Sequence, residues 1–163
     1  MTSSARRSPR SMFLGPSAAV LVLAAAGCSL SDAQPPVPVP TPSSEAAAYC
    51  ASLHEELPET VLDQERSDPS PDSELTAGWG DGAIVLRCGV PRPAKMDDPQ
   101  AQGVEADGVQ WMLEESAEGS GPRFTTTYRK AYVEVTLSST YAHDITPLAA
   151  FAGPVEKTVP GKF

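Results

Sequence analysis

The chain is poor in the residues that most often carry chemistry. It has two histidines and three cysteines, and aromatic residues make up only 6% of it. It contains no Gly-x-Ser-x-Gly elbow, no paired His near a Ser, no phosphate loop, no HExxH and no calcium loop. These absences make an enzyme the weaker reading, and they name no catalytic residue, cofactor or metal. The longest apolar run, Met12 to Ala26, is broken by Gly15-Pro16-Ser17 and falls short of the roughly 18–20 residues of a spanning helix. Cations are scarce too. Three of the 12 Lys and Arg residues precede residue 28 and all 21 acids follow it, so the net charge from there on is 9 − 21 = −12. Such a body is repelled by nucleic-acid phosphates and anionic lipid heads, which argues against nucleic-acid binding.

Residues 1–27 have the three parts of a secretory signal. Arg6, Arg7 and Arg10 form a positive start, Met12 to Ala26 an apolar core, and small residues the end. That end, Leu23-Ala24-Ala25-Ala26-Gly27-Cys28, resembles a bacterial lipobox, in which small side chains admit a peptidase and the Cys thiol takes a diacylglycerol. Ala25 stands where Leu is commonest. The competing reading is an ordinary cleaved signal followed by a chance Cys. Arg6-Arg7 hints at twin-arginine export, but Pro9 and the lack of an apolar residue after the pair favour ordinary secretion. Lipidation of Cys28 would put the protein on the extracytoplasmic face of the cell membrane. Two acyl chains hold stably where one does not, so no basic patch is required.

From Cys28 to residue 44 the chain reads as a tether. Pro35-Pro36-Val37-Pro38-Val39-Pro40-Thr41-Pro42 favours extended polyproline backbone, reaching up to about 50 Å from the bilayer. A Pro-rich ligand for another protein is the alternative. Residues 45–163 then form a single α+β domain. A helix is predicted from Glu45, capped by Ser43 or Ser44 and ended by Pro58, with Ala46, Tyr49, Cys50, Leu53 and Leu57 on one face. Strands are predicted at Ala83–Cys88, Val104–Ala106, Val109–Leu113, Phe124–Tyr128 and Ala131–Ser138, with Asp107-Gly108 as a tight turn. Arg129-Lys130 lacks the Gly or Asn of a two-residue hairpin, so one long bent strand is the alternative. A short final helix is capped by Thr146, starts with Pro147 and is stopped by Gly153-Pro154. The expected fold has both helices on one face of an antiparallel sheet of about four to five strands.

Cys50 and Cys88 are an even pair in an exported chain, which most often means a disulfide, here joining helix to sheet. A redox role usually needs a closer pair. A zinc site of Cys50, His54 and Cys88 would lack an identified fourth ligand. His143-Asp144 lies in a loop, where Asp144 reads better as a cap than as the partner of a catalytic base. Trp79, Trp111, Tyr128, Tyr132 and Tyr141 either line a groove or fill the core.

One family resemblance rests on specific residues. Leu86-Arg87-Cys88-Gly89-Val90 followed by Pro91-Arg92-Pro93-Ala94 carries it, with Gly108-Val109-Gln110-Trp111, Phe124-Thr125-Thr126-Thr127-Tyr128-Arg129 and Tyr132-Val133-Glu134-Val135. From about Ala46 onward the chain resembles small actinobacterial lipoproteins grouped as domain of unknown function 3515. The resemblance implies an envelope address and a paired cysteine but no activity. The leading expectation is a non-enzymatic, lipid-anchored envelope domain that binds a partner protein or small ligand. The rivals are an envelope hydrolase or transferase using His54 or His143, and an extracytoplasmic metal- or ligand-binding protein.

Overall fold

Helix α1, Ser44–Glu56, begins where the Ser43 hydroxyl accepts the Ala46 N–H at 3.3 Å. It ends as Leu57 turns extended before Pro58, the conformation proline imposes on its predecessor. Cys50 and Leu53 on its inner face are fully buried. The computed structural model describes residues 36–115 and 121–163. The expected signal segment 1–27, Cys28 and the first part of the tether lie outside the described residues. No helix among the described residues is long and apolar enough to cross a membrane.

Two short strands follow, β1 (Thr60–Val61) and β2 (Gln64–Glu65), paired as an antiparallel ribbon. Leu62 and Asp63 make their turn at φ of 49° and 61°. The main sheet holds β3 (Thr76–Trp79), β4 (Ile84–Val90), β5 (Gly103–Ala106), β6 (Val109–Glu114), β7 (Arg123–Thr126) and β8 (Tyr132–Leu137). Its spatial order is β3-β4-β8-β7-β6-β5, and every neighbouring pair is antiparallel. The expected four to five strands are thus six, plus the separate ribbon. The segment from Phe124 to Ser138 is two strands: Tyr128, at φ 57°, turns the chain between them.

Register sorts the side chains onto two faces, because directly opposed residues share a face. Leu86, Val135, Phe124 and Leu113 lie in one row across β4, β8, β7 and β6. Arg87, Glu134, Thr125 and Met112 form the neighbouring row on the other face. Both helices cover the apolar face: α1 packs on β4, and α2 (Thr146–Thr158) on α1, β5 and β6. Leu148, Phe151, Ala152 and Val155 of α2 are fully buried, and Phe151 stacks at 5.0 Å from Trp79. The Trp79 indole N–H donates to the Pro58 carbonyl at 2.9 Å.

The last helix departs from expectation at both ends. Thr146 is its first residue, not its cap, and Asp144 Oδ1 accepts the Thr146 N–H at 2.9 Å. Gly153-Pro154 does not stop it. An interior proline costs about 3 kcal/mol, but Val155 and Val159 beyond it are fully buried, at about 1.5–3 kcal/mol each. The gain offsets the cost, and the helix continues to Thr158.

A further difference concerns residues 36–43, read from sequence as part of a free tether. They lie on the domain as a strap. The Val37 N–H donates to the Ser70 carbonyl at 2.9 Å, and Arg87 Nη1 donates to the Pro38 carbonyl at 3.3 Å. Pro42 packs on Gly89, whose φ is 84° and where a Cβ would lie 2.7 Å from the proline ring. Prolines preset the extended backbone, so docking the strap costs little entropy. Arg87, Cys88 and Gly89 therefore do two jobs: the first and third hold the strap, and the second bonds to α1.

Candidate functional site

Cys50 and Cys88 form a disulfide with a Cα–Cα distance of 5.5 Å, joining α1 to β4. The bond excludes the zinc alternative, since neither sulfur is free to coordinate. His54 is engaged elsewhere, its Nε2 lying 2.8 Å from Arg66 Nη2. Arg66 can only donate, so the His54 ring accepts in that contact. Arg66 in turn pairs with Asp68 at 2.9 Å. His143 is exposed on a loop, and Asp144 beside it is spent on the Thr146 N–H. Hydrogen bonds from Thr146, the side chain first and the backbone second, hold the Asp144 carboxyl below its ordinary value. Among the described residues no group of three or more His, Cys, Asp or Glu is placed to hold a metal ion.

The arrangement with the shape of a site lies on the face away from the helices. Strand β4 is near one end of the sheet and β5 is the far edge, so residues 91–102 must cross β8, β7 and β6 to join them. This crossover passes over the polar face, and Thr125, Met112 and Glu134 beneath it are buried. Glu134 is 5% exposed and neutralised from two sides, by Arg87 Nη2 at 2.7 Å and Arg123 Nε at 3.7 Å.

Between the crossover and residues 160–163 opens a groove of about 460 Å³. The tail is held by main-chain bonds, from Lys130 N–H to the Pro160 carbonyl at 2.9 Å and from Lys162 N–H to the Tyr128 carbonyl at 2.8 Å. The left-handed backbone at Tyr128 turns its ring into solvent, where it meets the Phe163 ring at 6.1 Å. Lys162 Nζ lies 4.3 Å from the centroid of the Tyr132 ring and donates to the Tyr132 hydroxyl at 2.6 Å. From the crossover, Arg92 reaches Asp97 at 2.8 Å. Asp97 raises the Arg92 pKa, and Tyr132 adds a smaller contribution in the same direction. Met96 and Met112 supply apolar lining. Its size falls in the range of small-ligand sites, and its lining divides almost evenly between polar and apolar groups.

The five aromatic residues singled out in the sequence divide between the two surfaces. Trp79 and Trp111 are in the core, Tyr141 packs against it, and Tyr128 and Tyr132 line the groove. Sequence reasoning passed over Lys162, Phe163 and Met96, and met Arg92 only as part of a family resemblance. No local pattern marks them, since tail and crossover meet only through the sheet topology.

No curated protein and no solved structure matches this chain. A family model described as "Protein of unknown function (DUF3515)" matches residues 14–162, including every helix and strand described above. The chain belongs to that family of proteins of unknown function.

Proposed function

We propose that this protein is an exported lipoprotein, held on the extracytoplasmic face of the cell membrane by a diacylated Cys28, whose domain is a non-enzymatic binding module that works through the groove. The groove carries the binding part of this reading, because it is where exposed rings and a lysine converge on one face of the sheet. The small-residue end at Cys28, the apolar run before it and the acidic body support the address. Eight residues (28–35) separate the proposed lipid from the strap, a reach of at most about 25 Å at the polyproline rise. Both histidines offer poor starting points for catalysis, one held by Arg66 and the other exposed beside a capping aspartate.

Two measurements test the two halves. The protein purified from membranes should begin at Cys28 and carry the added mass of a diacylglycerol, and Cys28→Ser should leave the membrane fraction or remain uncleaved. Normal membrane retention with no added lipid ends the lipoprotein reading. For the groove, a photo-crosslinking residue at Tyr128 should give a defined adduct in intact cells, and the same residue at Lys157 on α2 should not. Equal labelling at both positions, or none at Tyr128, removes the groove from the function.

A further inference from the structure

The positive charges of this domain are nearly all paired within it. Of the nine described Lys and Arg residues, eight lie within 3.7 Å of a carboxylate: Arg66, Arg87, Arg92, Lys95, Arg123, Arg129, Lys130 and Lys157. Lys162 is the ninth, and it has no carboxylate within that distance among the described residues. In a body where acids outnumber cations by twelve, a lysine without an acid is the exception. Its ammonium is also fixed in place, by the Tyr132 ring below it and the hydroxyl beside it.

Donors converge at the same point. Lys162 gives one proton to the Tyr132 oxygen and keeps two. The Tyr132 hydroxyl keeps its own proton. Arg92 lines the same groove from the crossover side, and its guanidinium has five N–H donors, more than Asp97 can absorb. The nearby acids are already committed: Asp97 to Arg92, and Asp98 to Lys95 Nζ at 2.6 Å. Three donors lining one groove, two of them charged, suit an oxyanion, to which charge-assisted hydrogen bonds are the strong kind.

A second observation gives the rest of the ligand. Only three large hydrophobic side chains are exposed among the described residues, namely Tyr128, Ile145 and Phe163. Two of the three stand together at the groove, tilted 57° to each other. A flat ring lying on one of them meets the other edge-on, an arrangement aromatic pairs favour.

Building on the groove reading above, we infer that the ligand is a small anion, a carboxylate or a phosphate monoester, joined to a flat ring or ring-sized apolar body. The oxyanion sits against Lys162, Tyr132 and Arg92, and the ring sits on Tyr128 and Phe163.

The test titrates benzoate, phenyl phosphate and the neutral isostere benzamide into the isotopically labelled domain, folded with its disulfide, and reads amide shifts at Tyr128, Tyr132, Lys162 and Phe163. Both anions should shift these residues with at least tenfold higher affinity than benzamide, and the tighter of the two identifies the oxyanion. Lys162→Gln should reduce anion affinity at least tenfold and leave benzamide unchanged. Lys95→Gln, whose lysine is paired with Asp98, should change neither. Benzamide binding as tightly as the anions overturns the charge assignment while leaving the groove a binding site. Anion binding that survives Lys162→Gln overturns it as well. No shift at the groove from any probe at tens of millimolar overturns this ligand class, and the crosslink at Tyr128 then decides separately whether the groove binds anything.

Discussion

Reducing the Cys50–Cys88 bond, with every side-chain carbon left in place, is the cleanest perturbation this domain offers. The bond joins residues 38 apart in sequence. On the chain-entropy account, freeing a loop of that size costs about 4 kcal/mol at 25 °C. Against the 5–15 kcal/mol typical of whole domains, that is a quarter or more of the total. The assay is equilibrium urea unfolding of the oxidised protein beside protein reduced in denaturant and refolded with reductant present. With a slope of about 2 kcal/mol per molar urea, the midpoint should fall by about 2 M. Cys50→Ala and Cys88→Ala should each reproduce most of the loss, because each deletes the same bond. The double variant should add only the cost of a second small void, since both positions are at most 1% exposed. A midpoint unchanged on reduction, or a double variant that costs the sum of the singles, would refute the reasoning.

Two further predictions concern charge. Glu134→Gln keeps shape but leaves Arg87 without its anion, and should cost about 2–3 kcal/mol in urea unfolding. Adding Arg87→Met should recover part of the loss, and a cost of Glu134→Gln below about 0.5 kcal/mol, the range of ordinary surface changes, defeats the idea. Asp144 governs the start of α2. Its folded pKa lies below the ordinary 3.8, so its contribution is fully present above that value and is lost as pH falls through the folded one. Hydrogen exchange on the first turn of α2 should accelerate over that acid range in the native protein but not in Asp144→Asn, and parallel profiles would count against it.

What was readable in the sequence had local causes. Helix α1 announces itself because Tyr49, Cys50, Leu53 and Leu57 recur at helical spacing between a serine cap and a proline. The hairpin of β5 and β6 is marked by Asp107-Gly108, and Gly108 indeed takes φ 84°. Strand β3 has no such mark. Thr76-Ala77-Gly78-Trp79 is buried along its whole length, so no polar face alternates with an apolar one. The cause is the chain around Ser67, whose N–H bonds the Gly78 carbonyl and whose own carbonyl would lie 2.7 Å from a Cβ at Gly78. The β1–β2 turn is equally silent, as Leu62 and Asp63 take positive φ without glycine or asparagine. The groove was half readable. Tyr128 and Tyr132 stood out as aromatic, but that the crossover and the last residues flank them follows only from strand order.

The strap also determines how the domain bears a load. A pull on the chain ahead of Pro36 is first taken up by the hold of Ser70, Arg87 and Gly89 on Val37, Pro38 and Pro42. If those contacts yield, tension passes along the first half of α1 to Cys50 and crosses the disulfide into the middle of β4. The covalent path then continues from Cys88 toward the C-terminus, and residues 51–87 form a closed loop that carries no force. The ribbon β1–β2, the edge strand β3 and the Trp79 anchor all lie inside that loop. Pulling on the chain ahead of Pro36 would therefore peel a few prolines from the surface while that half of the core stayed mechanically shielded.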